Sequence, residues 1–251
     1  AIRSLKQLFE DSFREYATRP AFTNMGRTLR YAELEELSRR FGAWLQKDAG
    51  MKKGDRIALM MPNILQYPVA IIGALRAGLT IVNVNPLYTA RELEHQLNDS
   101  GATAIVIFEN AAATLQQVLA KTPVKRVIVT GIGDLLGFPK GAITNFVIRR
   151  VKKMVPAYSL PGNVKFAAVL AKGASLALDP VDVGGEDIAF LQYTGGTTGV
   201  SKGAVLTHRN LVANTEQVVA FMPELKQIED AVVITALPLY HIFALTTNLL
   251  V

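Results

Sequence analysis

The chain has 251 residues and no cysteine, so nothing in it rests on disulfides or thiolate chemistry, and a cytoplasmic setting fits. Half of it is apolar and only 19% is charged, which favours a sheet buried on both faces, with strands that read as continuous apolar runs. The net charge of +6 is spread along the chain without a nucleic-acid motif, and the longest apolar stretch, 69–84, is interrupted by Arg76 and two glycines, so nucleic-acid binding and a membrane span are both excluded.

Residues 1–22 place Leu5, Leu8, Phe9, Phe13 and Tyr16 at helical spacing and end before Pro20. An edge strand is expected over 28–31, then an amphipathic helix over 31–46 with Leu34, Leu37, Phe41, Trp44 and Leu45 on one side. Trp44 reads as core. Strand and helix then alternate: strand 56–61, helix 65–77, strand 80–84, helix 90–98, strand 104–108, helix 111–120, strand 126–129. Such alternation argues for an α/β fold, doubly wound, with mostly parallel sheets and flanking helices. Thr89 can cap the helix from residue 90, with Glu92 closing a capping box, and His95 sits on that helix's polar face with a structural role.

Residues 131–163 differ, because glycines and prolines bracket one helical pattern of Ile143, Phe146, Val147, Val151 and Met154. Arg149, Arg150, Lys152 and Lys153 are interleaved on its other side. Two readings stay open: a basic amphipathic helix lying on an anionic bilayer, or an ordinary surface helix with a solvated charged face. A helix over 164–170 follows, then a link to a buried strand over 188–191.

That strand leads into Tyr-Thr-Gly-Gly-Thr-Thr-Gly-Val-Ser-Lys-Gly, residues 193–203, with four glycines, three threonines, a serine and a lysine. Glycines let consecutive N–H groups converge on an anion, hydroxyls ligate hard cations or donate to phosphate, and Lys202 adds positive charge. A flexible Gly/Thr-rich surface loop is the plainer alternative. The order Lys202-Gly203 is not the Gly-Lys-Ser/Thr of a P-loop, and residues 204–206 read as strand, so the segment joins two strands. Thr207 or Asn210 can cap a helix over 211–221. Residues 232–236 read as another buried strand, leading to Pro238-Leu239-Tyr240-His241, and a strand end is where ligands sit in open α/β sheets.

The 193–203 segment, with Ala204-Val-Leu-Thr-His-Arg-Asn-Leu after it, resembles the phosphate-binding signature of adenylate-forming enzymes: acyl-CoA synthetases, luciferases and peptide-synthetase adenylation domains. With residues 82–101 it looks most like bacterial long-chain fatty acid–CoA ligases, and Pro238 to His241 resembles the family's aromatic-histidine motif. Ser201 stands where many members carry proline. The resemblance implies a fold that is part of the large N-terminal domain of such an enzyme, divided into a first α/β portion, 1–187, with a basic helical insertion near 138–160, and the start of a second, 188–251. It implies activation of a long-chain fatty acid by ATP to acyl-AMP and transfer to coenzyme A, with magnesium. Tyr193, Thr194, Gly195, Gly196, Thr197, Thr198, Gly199, Lys202 and Gly203 would bind nucleotide, Thr194 also the metal, and Lys202 and His241 would be catalytic.

The partners expected are fatty acid, ATP and coenzyme A, peripheral contact with the inner face of the cell membrane through Arg149, Arg150, Lys152 and Lys153, and a homodimer. The family's later motifs follow the aromatic-histidine segment, so an N-terminal fragment, inactive alone, is expected. The alternatives are a ligase of the same class for an aryl, short-chain or amino acid, and a stand-alone nucleotide-binding module.

Overall fold

The computed structural model describes residues 4–194, 201–222 and 231–250. Helix α1, Leu5–Tyr16, starts at Ser4, whose hydroxyl accepts from the Gln7 N–H, and buries Leu5, Phe9 and Phe13 four residues apart. Strands β1, Pro20–Asn24, and β2, Arg27–Arg30, form an antiparallel hairpin turned by Met25 and Gly26, both at positive φ. Only the second strand was expected, because Pro20 ends the helical pattern and also opens β1, where a strand tolerates proline.

Helix α2, Tyr31–Lys47, buries Leu34, Phe41, Trp44 and Leu45. It packs against α3, Gln66–Arg76, closely enough that a Cβ at Gly42 would lie 2.8 Å from the Gly73 carbonyl. Glycine at this crossing lets the two backbones meet.

The main sheet contains β3 (Arg56–Met60), β4 (Thr80–Asn83), β5 (Ala104–Phe108), β6 (Arg126–Thr130), β7 (Val164–Lys165), β8 (Ile188–Thr194) and β9 (Lys202–Thr207). Its order is β7-β6-β5-β3-β4-β8-β9, parallel throughout except for β8 and β9, which are antiparallel. Ile57, Leu59 and Ile81 face a core built with α1, α2, α3 and, from Phe166–Gly173, a later helix; Ala58, Met60 and Val82 face the opposite core. Helices α4 (Ala90–Ser100) and α5 (Ala112–Val118) close that second face. The sheet is therefore covered on both sides, as the continuous apolar strands require. Thr89 and Glu92 form the expected capping box on α4.

Several expectations need correction. The helix over 111–120 is broken: a 3-10 turn, Glu109–Ala111, precedes α5 and another, Leu119–Lys121, follows it. Helix α6, Lys140–Phe146, runs into a π-turn, Val147–Val151, so Met154 lies beyond the helix. The 164–170 segment opens with β7, which adds the outer strand of the sheet, before α7, Phe166–Gly173, buries Phe166, Val169 and Leu170. Helix α8, His208–Phe221, has Thr207 as its cap and Asn210 as the reciprocal partner.

Residues 232–236 form no strand and are not buried: Val232 is 87% exposed and Ile234 84%. Among the described residues no strand pairs with this run. A single side chain holds it instead, Asn63 donating to the Thr235 and Leu237 carbonyls at 3.1 and 2.9 Å and accepting from the Leu239 N–H at 2.8 Å. A short helix, α9 (Ile242–Ala244), and a π-turn, Leu245–Leu250, follow and bury Leu245, Leu249 and Leu250.

Candidate functional site

Strands β8 and β9 form the stem of a hairpin whose base pairs are Tyr193 with Gly203 and Thr194 with Lys202. Successive side chains of a strand point to opposite faces. Tyr193 turns toward α4, where its hydroxyl donates to Asp99 Oδ2 at 2.6 Å, so Thr194 and Lys202 stand side by side on the other face, both exposed. Burial, and then the Asp99 carboxylate, pushes the Tyr193 hydroxyl well above its ordinary pKa, so it remains a donor. The Tyr193 ring lies over Gly203, where a Cβ would come within 2.9 Å of the ring. Any side chain there would have to displace the ring. Gly195, Gly196, Thr197, Thr198 and Gly199 lie outside the described residues.

Helix α4 reaches the second arm of the stem as well. His95 Nε2 is 3.1 Å from the Ser201 carbonyl, which can only accept, so this nitrogen carries the proton. The polar helix face assigned to His95 is thus turned toward the hairpin.

A buried polar chain runs behind the stem at the carboxyl ends of β4 and β8. The Tyr67 hydroxyl donates to Asn83 Oδ1 at 2.8 Å, Asn83 Nδ2 donates to Gln192 Oε1 at 3.2 Å, and Gln192 Nε2 donates to the Tyr240 carbonyl at 2.5 Å. Gln96 Nε2 also donates to the Asn83 carbonyl at 2.8 Å. These bonds place His241, exposed and next to the Tyr240 ring at 5.5 Å, near the end of β8 without any strand leading to it. Sequence reasoning missed Tyr67, Asn83 and Gln192. For Asn83 and Gln192 the signal was a polar residue toward the end of an otherwise apolar strand; Tyr67, inside the apolar helix α3, gave none.

On the far side of the stem, His208 is 1% exposed and its Nδ1 accepts the Leu5 N–H at 3.0 Å. Burial lowers its pKa to about 4, so it is neutral near pH 7. It ties α8, which follows the hairpin, to the first turn of α1.

The 138–154 segment departs from its expected geometry. Arg149 does not share a free basic face with Arg150, Lys152 and Lys153: its Nε is 2.8 Å from Oε2 of Glu109, which is 2% exposed. The apolar side of the helix is not packed either, since Phe138 is 92% exposed and Ile143, Phe146, Val151 and Met154 are all exposed.

The exposed Thr194 hydroxyl and Lys202 ammonium, adjacent at the end of a parallel-sheet strand, suit an anionic ligand and a hard cation carried with it. Among the described residues no group of three histidine or acidic side chains could hold a bare metal ion.

A family model for AMP-binding enzymes matches residues 9–251. The chain is 57% identical over 248 residues to a long-chain-fatty-acid–CoA ligase of Salmonella typhimurium, covering 99% of this chain and 44% of that protein. It is 32% identical to one of Bacillus subtilis, covering 97% of this chain and 43% of the relative. Among solved structures, a benzoate CoA ligase from Burkholderia xenovorans superposes with a TM-score of 0.76 at 26% identity, over 99% of this chain and 43% of that one. A long-chain-fatty-acid-CoA ligase from Archaeoglobus fulgidus gives 0.72 at 25% identity, over 100% and 46%. The chain spans less than half the length of each of these relatives.

Proposed function

Since the chain belongs to the AMP-binding enzyme family, we propose that it supplies the N-terminal part of a long-chain fatty acid–CoA ligase, which forms acyl-AMP and passes the acyl group to coenzyme A. The observation that carries this reading is the 57% identity, over nearly the whole chain, to ligases of that specificity. In this reading ATP, fatty acid and coenzyme A are the substrates. The difficulty of the first half-reaction is repulsion between a carboxylate and a triphosphate. Lys202 offsets the charge of the β- and γ-phosphates, which leave as pyrophosphate; Thr194 would be a magnesium ligand, and a bound magnesium ion would supply further neutralisation of phosphate charge. His241 orients the carboxylate for in-line attack at the α-phosphorus. Gly195, Gly196, Thr197, Thr198 and Gly199, outside the described residues, belong to the same nucleotide-binding proposal.

The division of the chain at residue 187 belongs to the proposal too. The second portion would open at residue 188 with strands β8 and β9, which extend the main sheet beside β4.

We extend the proposal to the membrane surface. No helix among the described residues is long and apolar enough to cross a bilayer, so contact would be peripheral. The exposed Phe138, Ile143, Phe146, Val151 and Met154, with Arg150, Lys152 and Lys153 among them and no acidic residue between Asp134 and Asp179, fit an anionic lipid surface. Self-association as a homodimer is a separate proposal, read out by sedimentation velocity.

The function is tested by joining this chain to the remaining part of the Salmonella relative and assaying palmitoyl-CoA formation from palmitate, ATP and coenzyme A. Activity in the joined protein and none in the 251-residue chain alone is the expected pair of results. A joined protein that activates aryl or amino acids in place of palmitate refutes the assignment.

A further inference from the structure

We propose that His95 and Asp99 of α4 are positioning residues for the hairpin, one fixing each arm of its stem, so that the offset of Thr194 from Lys202 is set from the opposite side of the sheet. The two residues are four apart and therefore share one helix face. Asp99 takes the first arm through the Tyr193 hydroxyl at 2.6 Å. His95 takes the second through the Ser201 carbonyl at 3.1 Å. The face they occupy is the reverse of the one that carries Thr194 and Lys202, so neither touches phosphate. Tyr193 is then a positioning residue as well, its ring held over Gly203 and its hydroxyl on the helix.

The helix is itself a rigid base. Its first turn is fixed by the Thr89 and Glu92 capping box, its buried side is anchored by Leu93 and Leu97, and Gln96 holds the Asn83 carbonyl at the end of β4. Hydrogen bonds between β8 and β9 cannot perform the same task. They fix register, but β4 pairs with β8 only as far as Gln192, so the end of the stem that carries Thr194 and Lys202 is held by β8–β9 bonds alone, and a bond from α4 to each arm opposes its twist. The inference rests on the reading that this hairpin receives the polyphosphate.

Two measurements decide it. In the 251-residue chain, His95→Ala is expected to speed hydrogen exchange about tenfold in a peptide covering 202–207 while leaving β3 and β4 unchanged, the loss of one bond of about 1.4 kcal/mol. In the joined ligase, His95→Ala and Tyr193→Phe are each expected to raise the KM for ATP about tenfold, with the KM for palmitate within about twofold. His95→Gln, whose amide can still donate to Ser201, restores both readouts.

Unchanged exchange in the stem overturns the proposal whatever the enzyme assay shows. A KM for ATP that stays put while the unfolding temperature falls overturns it too, leaving both bonds purely structural. A joined protein without palmitate-dependent activity counts against the functional reading alone, and the exchange measurement still decides the positioning claim.

Discussion

Replacing Asn83 by leucine keeps roughly the same volume but removes both side-chain bonds at the centre of the buried polar chain. The fully buried Tyr67 hydroxyl loses its acceptor, and Gln192 Oε1 loses its donor. Each orphaned buried group costs about 1–3 kcal/mol, so the substitution should destabilise by about 2–6 kcal/mol. For a chain of this size that is roughly 4–24 °C in unfolding temperature. The lone tryptophan, Trp44, is 1% exposed and reports unfolding by fluorescence in urea. The diagnostic step is a double-mutant cycle with Tyr67→Phe. In the unsubstituted chain that change should cost about 1 kcal/mol, because it leaves Asn83 Oδ1 without its donor. In the Asn83→Leu background it should be neutral or stabilising, because it removes an orphan. Additive effects would show that the two side chains do not depend on each other and would refute the network.

Arg149→Ala should destabilise by about 2 kcal/mol near neutral pH, because it strips the partner from the buried Glu109 carboxylate. Burial already raises the Glu109 pKa despite Arg149, so the loss should shrink as the pH is lowered and protonation removes the unpaired charge. Equal losses at pH 7 and pH 5 would contradict this. His208 titrates at about 4 in the folded chain against an ordinary 6.5, so the stability it lends is complete above 6.5 and declines as the pH falls from there toward 4. His208→Asn, which keeps an acceptor for the Leu5 N–H, should flatten that part of the profile; an unchanged slope would place the acid sensitivity elsewhere. Phe138→Ser with Phe146→Ser should reduce co-sedimentation with anionic liposomes more than neutralising Arg149 does, since Arg149 is already held by Glu109. The opposite ranking would restore a docking face built on the four basic residues.

What could be read in the sequence was local. The caps at Thr89 and Thr207 need only residues three positions away, and the apolar strands from residue 56 onward carry their burial in their own composition. What failed depended on distant partners. Residues 232–236 have the composition of a buried strand, but burial also requires a neighbouring strand, and among the described residues they have only the Asn63 side chain. The periodicity of 143–154 showed an apolar side without saying whether anything covers it, and the structure leaves it exposed. Arg149 read as one of four solvated bases because its partner, Glu109, is 40 residues away. His95 read as a structural position on a polar helix face, and Asp99 drew no notice, for the same reason: their contacts lie 106 and 94 residues along the chain, on the two arms of a hairpin whose motif was itself plain.

In the proposed reaction the face carrying Thr194 and Lys202 meets the polyphosphate. Exchange of labelled pyrophosphate into ATP, measured on the joined ligase with and without palmitate, tests this most directly. Exchange that requires palmitate and falls about a hundredfold in Lys202→Ala, with the unfolding temperature unchanged, is the predicted result. Exchange that proceeds without the acid, or that survives Lys202→Ala undiminished, would contradict it.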